Sequence, residues 1–164
     1  MEPRGLRNNN PLNIRRNNTC WKGMKKEQTD AAFVEFESLA YGYRAAWRVL
    51  YTYFYRFVTQ KKAFTVANII GRWAPPNEND TQSYIHSVLS LTSIGGKEKL
   101  LPPTSVEGYP KLAKLLSAMT VMENGIRMDE VDTQAILEGY KLAFPDRRGE
   151  LEAFLLQADE YHQW

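Results

Sequence analysis

A carboxyl at the end of an apolar stretch is the group in this chain best placed to do chemistry. Glu123 follows Leu112, Leu115, Leu116, Met119 and Met122, which recur at helical spacing, and precedes Asn124-Gly125, a pair that stops a helix. A side chain there is held on a rigid element yet opens toward whatever faces the helix end. Apolar neighbours and the partial negative charge of a helix C-terminus both favour a protonated carboxyl, the form a general acid needs. The same pattern also fits a plain exposed helix end.

Composition narrows the other chemistry. Cys20 is the only cysteine, so an intramolecular disulfide and a thiolate metal site are excluded. His86 and His162 lie far apart with no ligand-like spacing, and no metal or cofactor is expected. With 21 Lys and Arg against 19 Asp and Glu, the net charge is +2, short of the dense basic stripe of a nucleic-acid binder. Basic residues do gather at Arg4, Arg7, Arg15 and Arg16, then at Lys22, Lys25 and Lys26, where they could steer the protein toward an anionic polymer such as a cell wall. The polar N-terminus offers no signal peptide, and no apolar run approaches a membrane span. The expectation is a protein made in the bacterial cytoplasm that reaches a wall by phage-type delivery or lysis.

The elements that must position these residues follow from periodicity. Residues 1–39 are rich in turn formers, above all Asn8-Asn9-Asn10-Pro11. Two short extended pieces, Leu12 to Arg15 and Ala32 to Phe36, suggest a small irregular hairpin. From residue 40 the pattern turns helical. Ala46, Leu50, Phe54 and Phe57 predict a largely buried helix over 40–59. Thr65 can cap a second helix that Pro75-Pro76 stops, and Asp80 or Thr81 a third that ends before Gly95-Gly96. Pro110 suits the first turn of the helix that ends in Glu123. Asp132 can cap a fifth, to about Phe144, and a sixth spans roughly 148–162.

Several further residues combine sugar-stacking or hydrogen-bonding capacity with a place near this framework. Trp73, Glu78, Asn79 and Tyr84 suit a sugar subsite, although Glu78, Asn79 and Thr81 equally fit the cap of the next helix. Tyr41, Tyr43 and Arg44 can border a cleft or simply begin a helix. Glu35 and Glu37 alternate with Val34 and Phe36, as on a strand with one solvated face.

The segment Asn9-Asn10-Pro11-Leu12-Asn13-Ile14-Arg15 resembles the Asn-Asn-x-Phe-Gly-Ile-Lys signature of bacterial cell-wall glucosaminidases. Ser117 to Gly125 is similar to the helix of lysozyme-like wall hydrolases that ends in a Glu followed closely by Ser or Asn and Gly. The resemblance implies that Glu123 donates a proton to the glycosidic oxygen. Trp21-Lys22-Gly23, Gln28-Thr29-Asp30 and Phe33 to Phe36 resemble the rest of the β element beside that family's active site. It implies a second carboxylate at Asp30 or Glu35, with Asp30 one position earlier than the family's spacing, and substrate contacts from Asn9, Asn10, Asn13, Trp21, Gln28 and Thr29. In the glucosaminidases the Glu helix precedes the Asn-Asn element; here it follows, the order a circular permutation produces. The run from Arg4 to about residue 144 also resembles a phage and prophage family of virion structural proteins or lysins. The shared pieces are Arg4-Gly5-Leu6-Arg7 through Arg15, Arg72-Trp73-Ala74-Pro75-Pro76 through Tyr84, and Glu123-Asn124-Gly125.

The expected fold is α+β, mainly α: a circularly permuted, lysozyme-like domain of about six helices with a small N-terminal β-hairpin. Residues 1–144 would form the catalytic domain (β element 8–37, helices 40–144), and 145–164 a C-terminal helical extension on the same domain. The leading functional expectation is a peptidoglycan hydrolase, an endolysin or virion-associated lysin, that cleaves the glycan strand between N-acetylated sugars with one Glu. A different class is a non-catalytic phage structural or wall-binding protein with the same fold, and a third a nucleic-acid-binding phage protein using the N-terminal Arg cluster. The expected partners are glycan strands and other virion proteins, without nucleic acid or membrane, around a monomer.

Overall fold

The computed structural model describes residues 1–77 and 79–162, with side chains described as far as Ala158. The protein is mainly helical, with seven α-helices among the described residues: α1 (Arg4–Arg7), α2 (Leu39–Thr59), α3 (Val66–Trp73), α4 (Thr81–Thr92), α5 (Tyr109–Asn124), α6 (Thr133–Ala143) and α7 (Arg148–His162). Short 3-10 turns stand at Val106–Gly108, Met128–Glu130 and Pro145–Arg147.

The helix starts are set by side chains that take up orphan backbone N–H groups. Ser38 accepts from Tyr41 N, Thr65 from Asn68 N, Asp80 from Ser83 N and Asp132 from Ala135 N. Pro110 occupies the first turn of α5, where its missing N–H costs nothing. At the other end Gly125, at φ 67°, takes the left-handed conformation that closes α5 just after Glu123 and Asn124.

The core forms around α2, which packs chiefly along α6, while α5 packs on α4 and α4 on α3. Trp47 at its centre is fully buried. It stacks on Tyr109 at 5.4 Å, meets Tyr140 edge-on at 4.9 Å, and donates its indole N–H to Ile136 O at 3.0 Å. Tyr140 in turn donates to Pro103 O at 2.7 Å, which ties the loop before α5 to α6. Leu151 of α7 is fully buried in the same core, so the C-terminal helix packs on the body of the domain.

The small N-terminal β-hairpin is not formed. Among the described residues there is no strand, only two isolated antiparallel bridges, Arg15 with Phe33 and Met24 with Phe36. The two extended pieces still lie side by side, with Val34 N donating to Ile14 O and Arg16 N to Ala32 O. What prevents a regular ladder is that side-chain amides occupy its positions. Asn10, fully buried, donates from Nδ2 to both Ile14 O and Val34 O at 2.9 Å and accepts from Ile14 N through Oδ1. Gln28 does the same for the other turn, donating to Lys25 O and Glu35 O and accepting from Glu35 N. Asn9 and Asn13, at φ 53° and 54°, bend the chain out of the extended region. An alternating pattern therefore reads as a hairpin in sequence and folds into a lattice of amides.

Candidate functional site

Glu123 sits on the last turn of α5, half-buried, facing a groove of about 1360 Å³. That is larger than the roughly 300–1,000 Å³ of a site for one small molecule. Asn13, Trp21, Trp73 and Asn79 lie on its walls. The helix end reaches the groove because the Asn-rich segment clamps it. Asn124 donates from Nδ2 to Pro11 O at 2.8 Å and to Thr120 O at 3.0 Å, and Asn13 donates to the Glu123 backbone O at 3.2 Å. The remaining amide oxygens, Asn13 Oδ1 and Asn124 Oδ1, are buried without a hydrogen-bond partner among the described residues. Both press on Gly5: a Cβ there would lie 2.7 Å from the first and 2.5 Å from the second. Only a residue without a side chain lets α1, the Asn loop and the end of α5 meet at this point.

Two donors hold one oxygen of the carboxylate. Tyr84 OH donates to Glu123 Oε2 at 3.0 Å, and Trp73 Nε1 donates to the same atom at 3.3 Å. Burial, and then the neighbouring Glu123 charge, push the Tyr84 phenol well above its ordinary range, so it remains a donor. Among the described residues, Oε1 meets only the Asn13 amide, at 3.5 Å, a marginal contact. One oxygen is held by two donors and the other has only that marginal contact. Trp73 and Tyr84, expected on sugar-binding grounds, are thus hydrogen-bonded to the carboxylate itself.

Neither expected second carboxylate reaches the groove. Asp30 receives a bidentate Arg4 fork at 2.7 and 2.6 Å, together with Asn8 Nδ2 and the Ala32 and Phe33 amides. The Arg4 guanidinium, aided by those amides, holds its carboxyl well below the usual range. Glu35 is buried and accepts from Thr29 N at 3.0 Å and Thr29 Oγ1 at 2.8 Å, which lower its pKa. Both side chains are saturated by bonds that shape the N-terminal segment, and neither lines the groove.

Other expected contacts are also structural. Tyr43 is fully buried, its hydroxyl 2.8 Å from Thr120 Oγ1, and cannot touch a ligand. Asn10 is fully buried in the amide lattice, Asn9 donates to Phe36 O, and Gln28 and Thr29 are used on Glu35. Glu78 lies outside the described residues. Asp80 caps α4 and Thr81 donates to Ala74 O, so the turn after Trp73 also does the capping work that its composition suggested.

Arg44, one of the residues offered for a cleft border, does line the groove, while Arg48, Val49, Thr52 and Tyr53 of α2, which line it too, were missed. The signal was present, because Arg44, Arg48 and Thr52 recur every fourth residue and form a polar stripe on an otherwise apolar helix. Among the described residues, no group of three or more His, Cys, Asp or Glu could hold a metal ion, and no helix is long and apolar enough to cross a membrane.

No protein-family model matches the chain. It is similar to Protein P5 of Pseudoalteromonas phage PM2, with 41% identity over 125 residues that cover 74% of this chain and 71% of that protein.

Proposed function

Since the chain belongs to the family of Protein P5 of Pseudoalteromonas phage PM2, we propose that it is a phage protein that binds the glycan strand of peptidoglycan in the Glu123 groove and cleaves it there, on a lysozyme-like, circularly permuted fold. The observation behind this reading is that Glu123 is the one carboxylate lining the groove among the described residues, with Oε2 held by Tyr84 and Trp73 and Oε1 left with a marginal contact. A proton on Oε1 passes to the glycosidic oxygen as the bond to the anomeric carbon breaks. Tyr84 and Trp73 then stabilise the negative charge that develops on the carboxylate.

No second carboxylate lines the groove among the described residues, which favours chemistry with one Glu. The sugar's own 6-hydroxyl attacks the anomeric carbon, and Glu123, now a carboxylate, takes the hydroxyl proton. The bond to the leaving sugar is replaced by an internal ether, the proton returns to Glu123, and water is not consumed. Mass spectrometry of digested peptidoglycan tests this directly: anhydro ends are expected, and reducing ends would assign hydrolysis instead. Glu123→Gln should fold and release no soluble fragments; full activity in that variant ends the catalytic reading.

A second reading, a non-catalytic virion structural or wall-binding protein, is favoured by the phage relative. Under that reading the protein co-sediments with peptidoglycan and with virions while releasing no muropeptides.

A further inference from the structure

The charge of this protein is not spread evenly. Basic and acidic residues almost cancel over the whole chain, yet the groove is lined by Arg15, Lys22, Arg44 and Arg48 against a single carboxylate, Glu123, among the described residues. Arg4, Lys111, Arg127, Lys141, Arg147 and Arg148 each stand in an ion pair. None of the four groove cations does so among the described residues. Arg15 lies over the Phe33 ring, and Arg48 over the Tyr51 ring with a long bond to Ala143 O.

Two buried donors on the same walls have no acceptor among the described residues, Arg44 Nε and Trp21 Nε1. An unmet guanidinium N–H is costly when buried, and an incoming oxygen removes that cost. Arg44 and Arg48 stand one turn apart on α2. Burial, then the Arg48 charge, depress the Arg44 guanidinium, so an anion between the two relieves repulsion as well as satisfying donors.

We infer that Arg44 and Arg48, with Arg15, Lys22 and the Trp21 indole around them, form an anion subsite that takes a carboxylate of the peptide stem carried by the glycan strand. This rests on the glycan-binding reading above. A carboxylate on a side branch fits better than a phosphate polymer. A polyanion threaded along the groove would run past the Glu123 carboxylate, whereas a glycan backbone is neutral and carries its charge on pendant peptides. The planar fork of Arg also matches a carboxylate in bidentate fashion.

The test compares the full-length protein's affinity for a neutral N-acetylglucosamine oligomer with that for a peptidoglycan fragment of equal length bearing stem peptides. The fragment should bind at least tenfold more tightly at low salt, with the ratio shrinking as salt rises. Arg44→Gln/Arg48→Gln should bring the ratio near one, and Arg44→Lys/Arg48→Lys, which keeps the charge and loses the fork, should retain only part of it, which separates charge from folding. Equal affinities in the wild type, or a ratio that survives the Gln pair, overturn the subsite. If the neutral oligomer fails to bind but the free stem peptide still binds through Arg44 and Arg48, the glycan reading falls and the subsite stands. Displacement of the fragment by a short DNA oligonucleotide of much higher affinity overturns the carboxylate assignment.

Discussion

Tyr84 OH and Glu123 Oε2 are 3.0 Å apart although 39 residues separate them in sequence. The phenol sits on α4 and the carboxylate at the end of α5, so the packing of those two helices sets the bond. With its ring buried and its proton retained, Tyr84 orients the carboxylate. Tyr84→Phe keeps the ring and removes the donor. A hydrogen bond to a charged group is worth roughly 1.5–3 kcal/mol, so muropeptide release should fall about tenfold or more under the catalytic reading. Wall co-sedimentation should be little changed, and a rate equal to wild type would remove Tyr84 from the mechanism.

Gly5→Ala probes the clamp behind Glu123. Its methyl group would meet Asn124 Oδ1, Asn13 Oδ1 and Asn10 O, all within 3 Å. Overpacking of this kind costs about 1–3 kcal/mol. A lowered melting temperature should be accompanied, under the catalytic reading, by slower muropeptide release, because the displaced Asn13 also bonds to Glu123. An unperturbed melting curve would mean that the three chain segments are not tightly joined here.

Tyr43→Phe separates wall structure from ligand contact. Among the described residues the hydroxyl it removes bonds only to Thr120 within the core, so stability should drop by about 1 kcal/mol. Affinity for peptidoglycan should stay as in the wild type; a selective loss of binding would restore Tyr43 to the groove.

The Arg4–Asp30 pair gives the fold an acid-sensitive joint. The folded-state pKa of Asp30 lies below its unfolded value of about 3.9. Its contribution is therefore fully present above that value and is lost as pH falls toward the folded pKa. Glu35 shifts in the same direction. Denaturation midpoints should decline as pH drops below roughly 4, and Asp30→Asn should flatten that decline while lowering stability at neutral pH. An unchanged slope in the variant would assign the acid sensitivity elsewhere.

Much of the helical frame is legible from local signals. Thr65, Asp80, Asp132 and Pro110 mark helix starts by chemistry that acts within one turn, and the structure has them in those roles. Glu123 at a helix end is legible too, since Gly125 stops the helix; its place beside the Asn-rich segment is implied only by the resemblance to cell-wall glucosaminidases. The N-terminal segment is harder. Whether Leu12 to Arg15 becomes a strand depends on what Asn10 bonds, and its partner Val34 is 24 residues away. Asp30 shows the same limit, because its partner is Arg4, and no spacing rule links an acid to a base across a folded turn. The α1 turn at Arg4–Arg7 is too short to show a hydrophobic period.

The amide lattice of residues 8–37 has one further effect. A sheet ends in a row of open N–H and C=O groups that can template another chain, and proteins must guard that edge. Here Asn9, Asn10 and Gln28 turn such bonds inward onto their own neighbours. Copies of this protein brought together at this segment would therefore find no ready frame for strand-on-strand growth.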